Sequence, residues 1–369
     1  MLTATPSDGG NTRFAQLAAV RGHADARLVA LGERPAAEQA RDGWLDDLLE
    51  RRPALGRPAE AEWHARVAAE LPVVRTVLQH RLGAEPAPVG WRAVGQLTAL
   101  WYWHGLVDEG PRWAELADAR TTAVAGQLSN LDEVRAGLAV ANLVVLRGDH
   151  GRAMAAYRGI YGRATPETLH HPRTVDSLLG LSSALALSDY HSMRVVLADA
   201  ESGVAAIGQD DFNVKLAALQ VMVDAAERPL DETRAAAEQS YAAALAHGNL
   251  MAAWWSCSSV NSCALRTRDA KTGLLWSRRM VELLLRIGMT APLQLETYGI
   301  FLALSGHWSA AVEVFAARYR ETRRQNVAWP RQPLTTAMLA MSRDRLSRSA
   351  FDQAWAVGPM RPISDLLVA

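Results

Sequence analysis

The chain has very few cysteine and lysine residues for a length of 369. Cys257 and Cys263, the only cysteines, are six positions apart, so on a helix they point to different sides and cannot pair. They also lack the Cys-x-x-Cys spacing of structural zinc sites. Neither Lys215 nor Lys271 belongs to a phosphate-binding loop, and no Gly-x-Gly-x-x-Gly fingerprint occurs. The sequence therefore predicts no cofactor and no bound metal.

The chain also lacks net charge, because 39 basic residues balance 39 acidic ones. Nothing in this balance favours nucleic acid or an anionic membrane as a partner. No uncharged apolar run reaches the length of a membrane span, and the N-terminus has no charged-then-apolar secretion signal. We expect a cytoplasmic protein whose partner is a small molecule or a peptide, with a protein partner as a further option.

Patterns typical of β-strands are nearly absent, whereas Ala, Leu, Arg and Glu dominate. Two fragments that begin at Gly148 and Gly306 share one spacing: a small residue five positions later and an aromatic residue four positions after that. This spacing is typical of the second helix of a tetratricopeptide hairpin. Gly148 and Gly248 are also predicted to lie at helix ends, where a left-handed residue is needed. We therefore predict an all-α fold, a right-handed superhelical array of tetratricopeptide-like hairpins over 84–369. A disordered leader (1–12) and a helical segment (13–83) are expected to precede it.

Four segments support this prediction in their order along the chain: 13–33, 62–78, 101–113 and 351–358. Together they resemble the C-terminal helical-repeat region of actinobacterial regulators of the signal-transduction ATPase type, including the antibiotic-regulatory and LuxR-like groups. In that family they would correspond to the last helix of a winged-helix segment, the first repeat helix, the next hairpin and the closing signature.

The resemblance covers roughly residues 13–369. The chain departs from it near Asp42, where the family usually has a histidine, and at Pro72-Val73, where it has Asp-Asn. The ATPase and DNA-binding parts have no counterpart. The resemblance thus implies a sensor or scaffold region without its motor, either a stand-alone descendant or a fragment.

Tryptophan is the unusual abundance, with 12 residues against five phenylalanines. Its large ring carries an N–H that needs a partner, which suits a ligand pocket. The alternative is that these rings pack hairpin against hairpin. The candidates for lining a groove are Trp101, Trp103, Trp254, Trp255 and Trp276.

The predicted helix over 250–267 has one side with hydroxyls and an amide but few charges. Ser258, Asn261 and Ser262 on this side are candidates for orienting a ligand beside the tryptophans. The alternative is close helix packing, with the serine hydroxyls bonded back to their own helix. Glu296 and Tyr298 lie on another apolar stretch, where a buried carboxylate could act as an acid or base.

We therefore expect a helical-repeat binding protein of the sensor type, with a small molecule or peptide in a Trp-lined concave pocket. One alternative is an enzyme of secondary metabolism in which Glu296 transfers a proton without a cofactor. Another is a protein–protein scaffold.

Overall fold

The structure is a computed structural model. It describes residues 2–6, 12–16, 18–103, 106, 108–124, 126–145, 147–186, 189–225, 227–289, 292–324 and 333–367. The chain divides into two compact units, Met1–Glu50 and Arg51–Ala369. This division lies well before the boundary at 83/84 that the sequence predicts.

The smaller unit contains the two strands that the structure describes. Strand β1 (Leu2–Pro6) pairs antiparallel with β2 (Thr12–Gln16), and Ala4 lies opposite Phe14. Helices α1 (Ala18–Ala30) and α2 (Arg34–Glu50) follow. The hairpin falls where the sequence predicts a disordered leader and the start of a helix. Hydrogen bonds between the backbones of the two strands hold this pair together.

In the larger unit, all the regular secondary structure of the described residues is helical. Its helices are α3 (Ala59–Ala69), α4 (Leu71–Gln79), α5 (Pro88–Gln96), α6 (Thr98–Trp103), α7 (Glu109–Arg120), α8 (Asn130–Val145), α9 (His150–Tyr161), α10 (Pro166–Leu169), α11 (Pro172–Leu185), α12 (Tyr190–Ile207), α13 (Asp210–Asp224), α14 (Leu230–Ala246), α15 (Leu250–Thr267), α16 (Ala270–Arg286), α17 (Pro292–Leu304), α18 (Trp308–Arg324), α19 (Pro333–Arg345), α20 (Arg348–Val357) and α21 (Ile363–Leu366). Short π and 3-10 segments cover His80–Ala84, Thr121–Val124 and Gly358–Met360. The prediction that this part of the chain is helical is confirmed.

Consecutive helices pack against each other: α8 with α9, α11 with α12, and each helix from α12 to α17 with the next one along the chain. A second set of contacts joins α5 to α8, α8 to α11, α11 to α13 and α13 to α15. We call these five helices the central row. Among the described residues, no helix combines the length and the apolar character needed to cross a lipid bilayer.

The turns between consecutive helices share a common chemistry at two places. Gly248 has a φ of +66°, a left-handed conformation that favours glycine, and so ends α14. Asn249 follows, and its Oδ1 accepts a hydrogen bond from the N–H of Ala252 at 2.9 Å, which caps α15. Gly148 and Asp149 repeat this arrangement before α9. The sequence prediction that Gly148 and Gly248 lie at helix ends is confirmed.

Candidate functional site

A concavity of about 700 Å³, its open mouth included, lies against the central row. Much of its space comes from small side chains on α5, α6 and α11, where larger residues would fill it. Helices α8 and α15 supply larger walls, and the segment before α3 supplies one edge. The lining residues are Arg52, Leu55, Gly95, Thr98, Ala99, Asn142, Leu143, Asp176, Ser177, Gly180, Ser183, Ala184, Met251 and Trp255.

Gly180 on α11 is the clearest source of this space. A Cβ atom at this position would meet only Asn142 Oδ1, at 3.6 Å, which is ordinary van der Waals contact. A longer side chain here would therefore extend into the concavity. The Nδ2 of Asn142 donates to the carbonyls of Leu138 and Ser177, at 3.0 and 3.2 Å, so the amide is held across α8 and α11.

Trp255 forms the aromatic wall. Its side chain lines the concavity although the residue is only 1% exposed. Its Nε1–H has no hydrogen-bond acceptor among the residues that the structure describes. A buried indole N–H normally finds a partner, because leaving it unpaired costs about 1–3 kcal/mol. This N–H is buried and is not exposed at the surface of the wall.

Two charged side chains border the concavity, and each is already neutralised. Arg52 Nη2 lies 3.3 Å from Glu60 Oε1, and Arg52 Nη1 donates to the carbonyl of Gln96 at 3.1 Å. Asp176 Oδ1 lies 2.7 Å from the Nζ of Lys215. The Oδ2 atom of the same carboxylate accepts from the N–H of Leu55 at 3.4 Å.

Lys215 is fully buried behind this wall, between two carboxylates on α11 and α13. Its Nζ lies 2.7 Å from Asp176 and 2.8 Å from Asp211, one helical turn earlier on α13. Burial alone would lower the pKa of Lys215, but the charges of the two aspartates outweigh burial and raise it above its usual value. Burial alone would raise the pKa of Asp211, but Lys215 outweighs it and lowers that pKa.

The segment 52–60, which we call the strap, is anchored to this charge cluster and to the α14–α15 turn. The Nδ2 of Asn249 donates to the carbonyl of Leu55 at 3.2 Å and to Asp211 Oδ1 at 2.9 Å. The N–H of Leu250 donates to the carbonyl of Gly56 at 2.8 Å. Arg57 Nη2 reaches Asp211 Oδ1 at 2.9 Å. The strap thereby joins the start of the unit to helices about two hundred residues later.

Gly56 is required at the centre of the strap. Its φ is +89°, and a Cβ atom there would lie 2.7 Å from Met251 Cβ. Glu60 then fixes the end of the strap, because its Oε2 accepts from the N–H of Gly56 at 2.8 Å. Burial raises the pKa of Glu60 above its usual value, although Arg52 opposes this. Glu60 and His64 are both fully buried, with Nε2 and Oε1 3.7 Å apart.

Of the binding residues predicted from the sequence, Trp255 lines the concavity. Trp101 is fully buried and packs against Gly110, where a Cβ atom would lie 2.7 Å from Trp101 Cβ. Trp276 contacts Tyr241 edge to face at 4.9 Å, and Arg279 lies 4.6 Å over its ring. These two tryptophans have the packing positions that the alternative interpretation describes.

Three further predicted residues also lie away from the concavity's walls. Trp254 is nearly buried, Tyr298 is fully buried, and neither belongs to the lining. The side chain of Trp103 lies outside the described residues. Among the predicted tryptophans whose side chains the structure describes, only Trp255 lines the concavity.

The polar side of α15 differs from the expectation of an open, ligand-facing surface. Ser258 Oγ and Asn261 Nδ2 contact Met280 Sδ on α16, at 3.4 and 3.6 Å. Ser262 is exposed and donates back to the carbonyl of Ser258 at 3.0 Å. Small polar side chains here allow α16 to approach closely, which corresponds to the helix-packing alternative.

Glu296 lies far from solvent in a closed set of interactions. Its Oε2 is 3.0 Å from Arg318 Nη2, and its Oε1 accepts from Thr335 Oγ1 at 2.6 Å. The carboxylate therefore joins α17, α18 and α19. Glu296 does not line the concavity, and its role as an acid or base remains a prediction that this geometry does not support.

Sequence reasoning missed the charged residues that shape this site, namely Arg52, Glu60, Asp176 and Lys215. One signal was available, because Asp211 and Lys215 are four apart and such pairs meet on one helix face. The partners on α3 and α11 could not be found in this way, since their contacts are long-range.

The comparisons with known proteins leave this geometry as the main guide. The chain matches no protein-family model, and it has no significant match among curated proteins.

Proposed function

We propose that this protein binds a small organic molecule in the concavity against the central row. The observation that carries the proposal is an open concavity with small residues on one side and the buried indole of Trp255 on the other. Pockets for small molecules have this character: apolar walls with a few fixed polar groups.

The architecture that we propose for the larger unit is a right-handed superhelical array of tetratricopeptide-like hairpins. Support comes from the contacts between consecutive helices and from the contacts between successive helices of the central row. In repeat arrays, one helix of each hairpin lines a common surface, and this surface is the usual binding face. The concavity draws residues from α5, α8, α11 and α15, which fits such a surface.

We further propose that the protein works as a sensor module in the cytoplasm, as the resemblance to the signal-transduction ATPase regulators implies. Binding, rather than catalysis, is favoured because both charged residues at the edge are held in ion pairs. A proton-transfer group would need to reach a substrate, whereas the carboxylate of Asp176 is already bound to Lys215 and to the N–H of Leu55.

The test is native mass spectrometry of the protein after incubation with an actinobacterial metabolite extract. We expect a bound small molecule on the wild type and its loss from Gly180→Leu, whose side chain would fill the concavity. Gly159→Leu is the matched control, because Gly159 is an exposed residue of α9 with no atom near its Cβ position. Thermal melting confirms that both variants fold.

Two results would overturn the proposal. One is a wild-type protein that retains nothing from the extract. The other is equal retention by Gly180→Leu and Gly159→Leu, since binding would then occur elsewhere on the molecule.

A further inference from the structure

We infer that helices α18–α20 carry a docking surface for an acidic peptide segment of another protein. The surface consists of Tyr319 and Arg323 on α18, Arg343 on α19, and Phe351 and Trp355 on α20. We call these five residues the terminal strip. None of them lines the concavity, so the inference does not depend on the proposed function.

Ring contacts join the members of the terminal strip in an unbroken series. The guanidinium of Arg323 lies 5.6 Å from the ring centre of Tyr319, and this ring centre lies 6.2 Å from that of Trp355. Trp355 stacks on Phe351, with ring centres 6.2 Å apart and an angle of 8° between the planes. The guanidinium of Arg343 lies 4.9 Å from the ring centre of Phe351. The series therefore joins three helices and has a cation at each end.

Positive charge is concentrated in this part of the chain, although the chain as a whole is neutral. Residues 308–366, which contain α18 to α21, include nine arginines, no lysine and five acidic residues. Four of these arginines have a carboxylate oxygen within 3.8 Å: Arg318, Arg320, Arg348 and Arg361. The acidic residues of this part of the chain are therefore too few to neutralise all its cations.

Arg323 and Arg343 are the two cations of the terminal strip. Both are exposed, and neither forms an ion pair within the described part of the chain. Contact with an aromatic ring restricts each side chain and leaves its N–H donors available. Less conformational entropy is then lost when a carboxylate binds, so the two guanidinium groups are prepared for an anionic partner.

The aromatic part of the terminal strip indicates which anionic partner fits. Tyr319 is 39% exposed and Trp355 is half-buried, and both lie in the middle of the series. Tyrosine, tryptophan and arginine are enriched at protein–protein interfaces. A nucleic acid carries a charge at every phosphate and is bound through many cations, whereas this strip offers two. A peptide with carboxylates and apolar side chains matches both the charges and the rings.

The test is fluorescence anisotropy of a labelled peptide in which pairs of glutamates alternate with leucines, titrated with the full chain. We expect its binding to weaken as salt is added, because exposed ion pairs are screened. A second peptide has glutamine in place of every glutamate and keeps the leucines. We expect it to bind about tenfold more weakly, since it loses the contacts with the arginines.

The double variant Arg323→Gln/Arg343→Gln removes both cations of the terminal strip. It should bind the glutamate peptide about tenfold more weakly than the wild type does. Arg279→Gln is the matched control, because Arg279 lies 4.6 Å from the ring centre of Trp276 and forms no ion pair among the described residues. This control should leave the Kd unchanged. Circular dichroism and thermal melting show that the variants are folded.

Three results would overturn the inference. The first is equal binding of the glutamate and glutamine peptides, or of neither at millimolar concentration. The second is an equal loss in Arg279→Gln and the double variant, since any exposed arginine would then contribute as much. The third is tighter binding of single-stranded oligothymidylate than of the glutamate peptide, lost in the double variant, which would make the strip a nucleic-acid site. None of these results affects the proposed function, which Gly180→Leu tests separately.

Discussion

The ammonium of Lys215 lies 2.7 Å from Asp176 Oδ1, and this contact joins α13 to α11 next to the strap. Lys215 is fully buried, whereas Lys271, the other lysine of the chain, is exposed. A buried lysine is tolerated when carboxylates surround it, and here Asp211 completes the set. The position of the strap depends on this cluster.

We expect Lys215→Met to lower the free energy of unfolding by about 3–5 kcal/mol, because Asp176 would lose its ammonium partner and Asp211 would keep only Arg57 as a cationic partner. Urea denaturation followed by circular dichroism measures this change. Lys271→Met removes the exposed lysine and should leave stability nearly unchanged. Equal effects of the two substitutions would contradict the role of the buried cluster.

We expect the wild-type protein to lose stability as the pH rises because of Glu60, and we expect Glu60→Gln to abolish this loss. The pKa of Glu60 is raised in the folded state, so the folded protein binds this proton more tightly than the unfolded chain does. Stability from this group is therefore lost as pH rises from about 4.3, the unfolded pKa, through the folded pKa. Wild-type stability should decline relative to Glu60→Gln as the pH rises above the unfolded pKa, and measurements between about pH 4.5 and 7.5 test the direction of this change.

Urea denaturation at three pH values between these limits provides the measurement. Glu62→Gln serves as the exposed control on α3. The difference in unfolding free energy between this variant and the wild type should not change with pH. A Glu60→Gln difference that is constant with pH, or that changes in the opposite direction, would show that burial of this carboxylate does not dominate.

Glu296→Leu is expected to lower the free energy of unfolding by about 3–5 kcal/mol, because it breaks the buried ion pair between Glu296 and Arg318. Glu282→Leu disrupts the exposed pair of Arg278 and Glu282 on α16 and should cost no more than about 1 kcal/mol. Thermal or urea unfolding distinguishes the two. Similar small losses for both would mean that the Glu296 contact contributes little to the packing of α17 on α18.

Two glycines in helices should respond to alanine with opposite signs. Gly180→Ala should stabilise the protein by about 0.5–1 kcal/mol, because alanine favours the helix and its Cβ meets no close neighbour. Gly273→Ala on α16 should destabilise it by about 1–3 kcal/mol, because Phe301 of α17 occupies the space of the Cβ atom. Melting temperatures of the two variants check the signs, and a stabilising Gly273→Ala would refute the close contact.

Much of the helical fold could be predicted from local patterns. Gly148 and Gly248 indicated helix ends because a left-handed residue is needed there, and glycine supplies it. Ala153 and Tyr157 on α9 are both buried, as the repeat spacing requires. The β1–β2 pair was not predicted, since the alternation of apolar and polar residues in β1 covers only Leu2–Thr5 and β2 does not alternate.

The candidate site was predicted only at Trp255, and the reason is physical. An aromatic residue on a helix can pack inward or line a pocket, and the sequence of its own helix does not distinguish the two. Ser258 and Asn261 illustrate this, because they contact Met280 rather than open space. Asp176 and Arg52 meet the concavity through partners on other helices, which a local pattern cannot reveal.

The contacts of the strap can form only late in the synthesis of the protein. Leu55 and Asn249, which hold each other by a hydrogen bond, are 194 positions apart in the chain. At ribosomal rates of about 5–20 residues per second, Leu55 waits roughly 10–40 s before Asn249 has been made. During that interval Arg57 and Glu60 are already present, while the turn that receives the strap does not yet exist. The contacts between the strap and the α14–α15 turn therefore cannot form until α15 has been translated.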